Sequence, residues 1–388
     1  MPDRRYEIEV GNLELIEACW GVPMAAQAVD HVRQRLAQWG FRAEQGDRPQ
    51  RFRITDDLCS QALPGCDPLG DLAYRLTAEP IVPTGGPPDT VLHAVVTWQS
   101  EDPPRYRNPR DIQRDYGAAW IAQYRQDMAL VADAFRCARE GQMAPHWQPV
   151  CDYRDPTRIL YHEGLVRFGE AGAALYPGIL FPALERTGMA STFDRIMVGH
   201  VLDALRSDRR ATLAVNVSAN SAHRKGWWRG ILAELAAQPD LASRLVVEIT
   251  ETEPIVHIEE AVAFAQALRA TGATLALDDF GAGYTSIRQL MVLVPALVKI
   301  DGLFVQRATD EGDGGDGLRH LIGLVRALGG IVVIEGVETQ AMADLAYASG
   351  ATWQQGYLHG RPSPVRCRPK PKSSLASIMA RQRKFTST

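Results

Sequence analysis

The sequence predicts an α/β protein: a C-terminal β/α barrel of the TIM-like type, preceded by a small α/β domain. Two observations carry that prediction. From about residue 145 onward, apolar strand-like runs alternate with helical patterns at roughly 30-residue spacing, the mark of βαβ units. Polar residues also recur at the C-terminal ends of successive strands: Asn216, Glu248, Asp278 with Asp279, Lys299 with Asp301, Glu335 and Gln355. The strand–helix rhythm alone fits either a closed barrel or an open doubly wound sheet. The strand ends favour the barrel, where they converge on one face.

Taken in order, residues 1–115 read as the small α/β domain. Tyr6–Val10 is a short alternating strand, and Ala25–Gln38 places Ala25, Val29, Val32 and Leu36 at helical spacing. Arg51–Ile54 follows a polar segment, a second helix covers Leu69–Thr77, and Val91–Trp98 (VLHAVVTW) predicts a strand. The Pro- and Arg-rich run at 100–115 reads as an exposed connection. Residues 116–144 form a connecting helix, with Trp120, Tyr124, Met128, Val131 and Phe135 near one face. The barrel then spans 145–365, with strands at 213–218, 245–250, 274–280, 297–301, 331–338 and 353–358 and helices including Glu259–Thr271 and Leu318–Leu328. Residues 366–388 form a basic tail. After Pro362 there are seven basic residues and no acidic one, a composition that predicts a solvated, partly disordered segment.

Composition narrows the function classes. Hydrophobic residues make up 46% of the chain and charged residues 23%, ordinary globular values. A net charge of −4 argues against a general nucleic-acid binder. The six cysteines are scattered without a CxxC pair, which predicts free thiols in a reducing compartment. The opening MPDRRYEIEV lacks the apolar core of a signal peptide. The most apolar stretch, Leu321–Val337, is broken by Arg326 and by Gly329-Gly330, so no transmembrane segment is expected. A cytoplasmic protein follows from these features.

The strand-end carboxylates specify a chemistry. Packed into one mouth they repel each other, unless hard divalent cations sit among them. An all-oxygen set suits Mg²⁺ or Mn²⁺. No HExxH, paired Cys or close His pair is present, which argues against a zinc site of the usual kind. Two metals bridged by a shared carboxylate are a familiar means of phosphodiester hydrolysis, and a lysine at the same mouth can orient water or neutralise developing charge. Gly281-Ala282-Gly283-Tyr284 follows a strand but lacks the third glycine of GxGxxG, since Ser286 holds that place. His162 neighbours Glu163 on a strand and should face the other way, into packing.

The motifs HEGLVRF (162–168), NVS (216–218), EITE (248–251), DDFGAGYTS (278–286), KID (299–301), EGVE (335–338) and QGY (355–357) stand in an order and spacing that resembles the EAL family of cyclic di-GMP phosphodiesterases. The resemblance covers about residues 145–365. It implies hydrolysis of cyclic di-GMP to linear pGpG with two Mg²⁺ or Mn²⁺ ions per site, in a homodimer formed through the barrel domain. Carried onto this chain, it makes Glu163, Asn216, Glu248, Asp278, Asp279 and Glu335 metal ligands, with Asp278 bridging. Lys299 would contact the nucleophilic water and act in catalysis with Glu335 and Asp278. Arg167 and Gln355 would bind substrate, and Glu251 would anchor the loop after Asp279. The signature Glu-Ala-Leu is here Glu163-Gly164-Leu165, a change at a position with no metal-binding atom, and Ala282 and Thr285 replace residues commonly Thr and Ser. The N-terminal part resembles a truncated, degenerate GGDEF domain. Arg53-Ile54-Thr55-Asp56-Asp57-Leu58 stands in the signature's place without its glycines, so no cyclase activity is expected. The competing expectation is a catalytically silent cyclic di-GMP receptor acting through a protein partner.

Overall fold

A computed structural model describes residues 6–54, 68–84, 90–99, 117–169, 175–222, 225–250, 258–281, 287–311 and 315–367. The chain divides into two compact units, Met1–Met143 with Phe168–Phe193, and Ala144–Arg167 with Asp194–Thr388.

The first unit contains an antiparallel four-stranded sheet in the order β2-β3-β1-β4, formed by β1 (Tyr6–Val10), β2 (Ala43–Gln45), β3 (Arg51–Ile54) and β4 (Val96–Gln99). Period-two alternation gives the sheet one apolar face: Ile8, Val10, Phe52 and Ile54 are buried. The intervening residues pair across the strands, Glu9 with Arg51 at 3.1 Å and Glu7 with Arg53 at 3.2 Å. The helix Val22–Gln38 buries Ala25, Val29, Val32 and Leu36, the face that the spacing predicts. A further helix, Leu13–Trp20, precedes it. The helix Ala118–Arg139 buries Tyr124, Met128, Val131 and Phe135 and packs on the helix Pro177–Thr187. There the buried Asp127 carboxylate takes a two-pronged grip from Arg186, at 2.6 and 2.8 Å.

The strand expected at Val91–Trp98 is shorter than the sequence suggests. The ladder begins only at Val96, and Leu92 makes an isolated bridge to Ile81. The backbone groups between are taken by other partners. Asn12 donates through Nδ2 to the His93 carbonyl at 3.0 Å and accepts the Val95 N–H at 2.8 Å, and the Gly11 N–H reaches the Val95 carbonyl at 2.7 Å.

The second unit is built on a closed eight-stranded barrel with helices, as the sequence predicts. Its strands are β5 (Met143–Asp152), β6 (Asp155–Phe168), β7 (Leu213–Ser218), β8 (Leu245–Thr250), β9 (Thr274–Phe280), β10 (Leu297–Ile300), β11 (Ile331–Ile334) and β12 (Trp353–Gln354). They close in the order β10-β11-β12-β5-β6-β7-β8-β9. Strands β6 to β12 run parallel to one another, but β5 runs antiparallel to β12 and turns directly into β6. A β/α repeat cannot anticipate this, because β5 and β6 are joined by the two-residue turn Tyr153-Arg154 with no helix between.

Inside the barrel a buried layer takes a side chain from every strand, from Val150 in β5 and Tyr161 in β6 round to Trp353 in β12. This layer positions the site. Tyr161, Ala214, Val246, Ala276, Leu297, Val333 and Trp353 belong to it. Two residues further on stand Glu163, Asn216, Glu248, Asp278, Lys299, Glu335 and Gln355. Side chains alternate along a strand, so the step of two puts all seven on the interior face, one layer nearer the C-terminal mouth.

Candidate active site

Lys299 stands at the centre of the mouth, fully buried. Its Nζ lies 3.1 Å from Glu163 Oε2, 3.4 Å from Glu248 Oε2, 2.8 Å from Asp278 Oδ1 and 2.9 Å from Glu335 Oε1. The approach to Asp278 is an ion pair off the hydrogen-bonding direction, since Asp278 Oδ1 has no aligned donor. Around Glu163, Asn216 Nδ2 donates to Oε1 at 2.6 Å and Gln355 Nε2 donates to Oε2 at 2.5 Å. Gln355 Nε2 also lies 3.4 Å from Gln148 Oε1. The Tyr161 hydroxyl, rising from the buried layer below, donates to Glu248 Oε1 at 2.7 Å.

Asp279 is out of phase with the other site residues, and the backbone corrects for this. Val298 pairs with Leu277 but Ile300 pairs with Phe280, so β9 carries one residue more than β10 across this interval. Asp279 takes a left-handed φ of 51°, a conformation that Asp tolerates better than most residues. The bulge re-aims a side chain that strict alternation would send to the outer face. Two groups of carboxylate oxygens result, each within 4.8 Å of one another: Glu163 with Glu248 and Asp278, and Asp278 with Asp279 and Glu335. Asp278 belongs to both.

Five carboxylates share one ammonium, and their proton affinities record the shortage of positive charge. Burial raises Glu248 well above the ordinary carboxylate range, against the pull of Lys299. Burial likewise raises Asp278, with Glu163 adding to it. Asp279 is pushed up to about 7 by burial and by Asp278. Burial, then Asp278, lifts Glu335 well above its ordinary value. For Glu163 burial acts in the same direction, but Lys299, Gln355 and Asn216 outweigh it and hold the group below its ordinary value. Burial alone would lower Lys299; the surrounding carboxylates raise it well above the usual lysine range.

The donor set fits hard divalent cations. Asn216 Oδ1, Glu335 Oε2 and Gln355 Oε1 are buried oxygens with no hydrogen-bond donor, and the carboxylate groups offer oxygen ligands alone. A cavity of about 640 Å³ opens beside Asp279 and Glu335, lined also by Asp301, Gln306, Glu338 and Met342.

The structure thus brings together Glu163, Asn216, Glu248, Asp278, Asp279, Lys299, Glu335 and Gln355. Arg167 lies four residues beyond Glu163 on the same alternating face of β6, half-buried, and donates to the Val166 carbonyl at 2.7 Å. Glu251 and the loop residues 282–286 lie outside the described residues. His162 is buried, and burial and Arg366 lower its pKa to about 4, so it packs as a neutral ring. Sequence reading missed Tyr161 and Gln148. Tyr161 was within reach of the same alternation, standing two residues before Glu163. Gln148 belongs to β5, the strand that the β/α rhythm does not reveal.

The departure at Gly164 has a steric cause. A Cβ built there would meet the Ala214 carbonyl at 3.1 Å, the Trp147 ring at 3.2 Å and a Val201 methyl at 3.3 Å. Restoring the signature alanine is therefore expected to destabilise this chain by about 1 kcal/mol, the low end of overpacking costs, because the carbonyl is fixed in the β7 ladder. A melting temperature of Gly164→Ala equal to or above that of the parent would contradict this.

The profile of the EAL domain family matches residues 131–362. Cyclic di-GMP phosphodiesterase PdeL of Escherichia coli (strain K12) is 33% identical over 243 residues, covering 61% of this chain and 67% of that protein. Cyclic di-GMP phosphodiesterase PdeF of the same organism is 27% identical over 266 residues, covering 66% of this chain and 35% of that protein. The chain thus spans about a third of the length of PdeF and two thirds of PdeL. Among solved structures, the PaMucR phosphodiesterase in complex with c-di-GMP aligns with a TM-score of 0.51 at 27% identity, over 61% of this chain and 98% of that one. The Xanthomonas citri FimX EAL domain in complex with c-diGMP aligns with a TM-score of 0.55 at 20% identity, over 63% and 97%, a likeness of fold. The match spans well over half of the sequence and holds every carboxylate of the mouth, so the chain belongs to the EAL domain family.

Proposed function

We propose that this protein hydrolyses cyclic di-GMP to linear pGpG in a metal-dependent reaction, and so lowers this second messenger in bacterial signalling. The observation that carries the reading is the pair of oxygen groups sharing Asp278, short of positive charge, in the mouth of an EAL barrel. Glu163, Asn216, Glu248 and Asp278 would hold one Mg²⁺ or Mn²⁺ ion, and Asp278, Asp279 and Glu335 a second. Bound there, the ions supply a water of lowered pKa and neutralise phosphate charge. Water adds to phosphorus and the bond to one ribose 3′-oxygen breaks, leaving a 5′-phosphate and a 3′-hydroxyl. The water loses a proton and the departing oxygen gains one. Lys299 would donate to the water and balance developing charge. Glu335 would act with Asp278 by holding the second ion beside the reacting phosphate. Gln355 orients Glu163 and borders the substrate, and Arg167 offers a guanidinium to a phosphate.

The same reading assigns residues 1–115 to a regulatory domain resembling a degenerate GGDEF domain, 116–144 to a connection carrying the helix Ala118–Arg139, 145–365 to the catalytic barrel, whose first strand begins at Met143, and 366–388 to a basic tail. It places the protein in the cytoplasm; among the described residues no helix is long and apolar enough to cross a membrane. A homodimer through the barrel is supported by exposed apolar side chains: Ile287 and Met291, one turn apart on the helix Ile287–Leu293, and Val294 just past its end, 53%, 60% and 54% exposed. Incubation of the purified chain with cyclic di-GMP and Mg²⁺ or Mn²⁺ is expected to yield pGpG, with loss of product under chelator and in Glu163→Ala. Binding without turnover, indifferent to chelator, would point to the receptor instead.

A further inference from the structure

Asp194 is a buried carboxylate, 5% exposed, that the proposed chemistry does not use. It is the fifth residue of the helix Ala190–Ser207, beyond the first turn in which an acidic side chain serves the N-terminus of its own helix. Here it reaches to the top of β7. One oxygen, Oδ2, accepts the Ser218 N–H at 2.9 Å, the Ser218 hydroxyl at 2.8 Å and the Ser221 hydroxyl at 2.7 Å. Ser221 is itself fully buried, and its carbonyl accepts the Trp228 indole N–H at 2.9 Å.

Ser218 ends β7, two residues beyond Asn216. The β7–β8 ladder sets Asn216 opposite Glu248 and Ser218 opposite Thr250. The grip of Asp194 therefore falls just beyond the rung that carries two of the candidate ion-holding groups, at a strand terminus where a ladder otherwise frays. The place of Asn216 matters at the ångström scale. Its Nδ2 is committed to Glu163 at 2.6 Å, while its buried Oδ1 has no donor.

We propose that Asp194 is a positioning residue: by holding the end of β7 through Ser218 and Ser221, it fixes where Asn216 Oδ1 stands in the ion-binding shell. The inference rests on the metal-dependent reading above. Outer groups of this kind ordinarily govern affinity for the ion as well as rate.

Calorimetric titration of the full chain with Mn²⁺ alone, with thermal melting in the same buffer, tests this without substrate. Asp194→Ala is expected to weaken Mn²⁺ binding ~10–100-fold. Ser218→Ala, which removes the hydroxyl's hydrogen bonds to Asp194 and Ser221 but keeps the backbone N–H bond to Asp194, should weaken it ~3-fold, and Asp194→Asn, which keeps an acceptor oxygen, should return to within ~3-fold of the parent. Parental Mn²⁺ affinity in Asp194→Ala, with or without a lowered melting temperature, marks a purely structural residue and overturns the inference. Should Asp194→Ala fail to fold, parental affinity in Ser218→Ala overturns it instead. A parent chain that takes up no Mn²⁺ overturns the metal-dependent reading and this inference with it, a result distinct from equal binding by parent and variant.

Discussion

Replacing Lys299 by methionine is expected to destabilise the metal-free protein by about 3–5 kcal/mol, the usual consequence of removing one partner from a buried charge pair. The ammonium faces Glu163, Glu248, Asp278 and Glu335 at 2.8–3.4 Å, and without it the four carboxylates would face one another with that compensating charge removed. Divalent cations can take over that duty. The variant should therefore recover much of its stability in Mg²⁺ or Mn²⁺, whereas the parent should respond far less. Turnover should fall about 100-fold or more even with metal present, because the group proposed to donate to the water is gone. Denaturant unfolding with chelator and with Mg²⁺ reads the first effect, and pGpG formation the second. A Lys299→Met protein as stable as the parent under chelator would show that the carboxylates do not depend on the ammonium.

Asp278→Asn should be the most damaging exchange among the acids, lowering the rate of cyclic di-GMP cleavage about 1,000-fold or more at saturating metal, the loss of a major electrostatic contribution. Asp278 is common to both oxygen groups, so the substitution would weaken the proposed place of both ions. Glu248 belongs to one group alone, and Glu248→Gln should spare the Asp278–Asp279–Glu335 side. Mn²⁺ stoichiometry separates the cases: Asp278→Asn is expected to lose the capacity for both ions, and Glu248→Gln to keep one. Equal stoichiometry in the two variants would remove Asp278 from its shared role.

Much of the site was legible because a barrel turns a linear rule into a place. Once the strands are found, period-two alternation and a shared C-terminal face are enough to gather Asn216, Glu248, Asp278, Lys299, Glu335 and Gln355. Glu163 was found through the signature it sits in, since β5 and β6 form a hairpin that breaks the strand–helix rhythm. What the pattern could not reveal depends on hydrogen bonds between distant segments. Asn12 diverts the backbone of residues 93–95 from its ladder, and nothing local to VLHAVVTW announces it. Tyr161 reads as one more apolar core residue until Glu248 is seen 2.7 Å from its hydroxyl. The helix Leu13–Trp20 lies next to a longer and more regular helical pattern that drew the reading.

The extra residue in β9 bears on attempts to transplant this constellation. Seven of the eight mouth residues stand in phase with the barrel layer below them and could be installed on another eight-stranded barrel by exchanging side chains. Asp279 could not, because its direction comes from the φ of 51° and the slipped pairing against β10. A graft that copies the amino acids onto a regular strand would build one oxygen group and leave the other lacking a corner. A graft that copies the backbone of residues 277–280 would carry both.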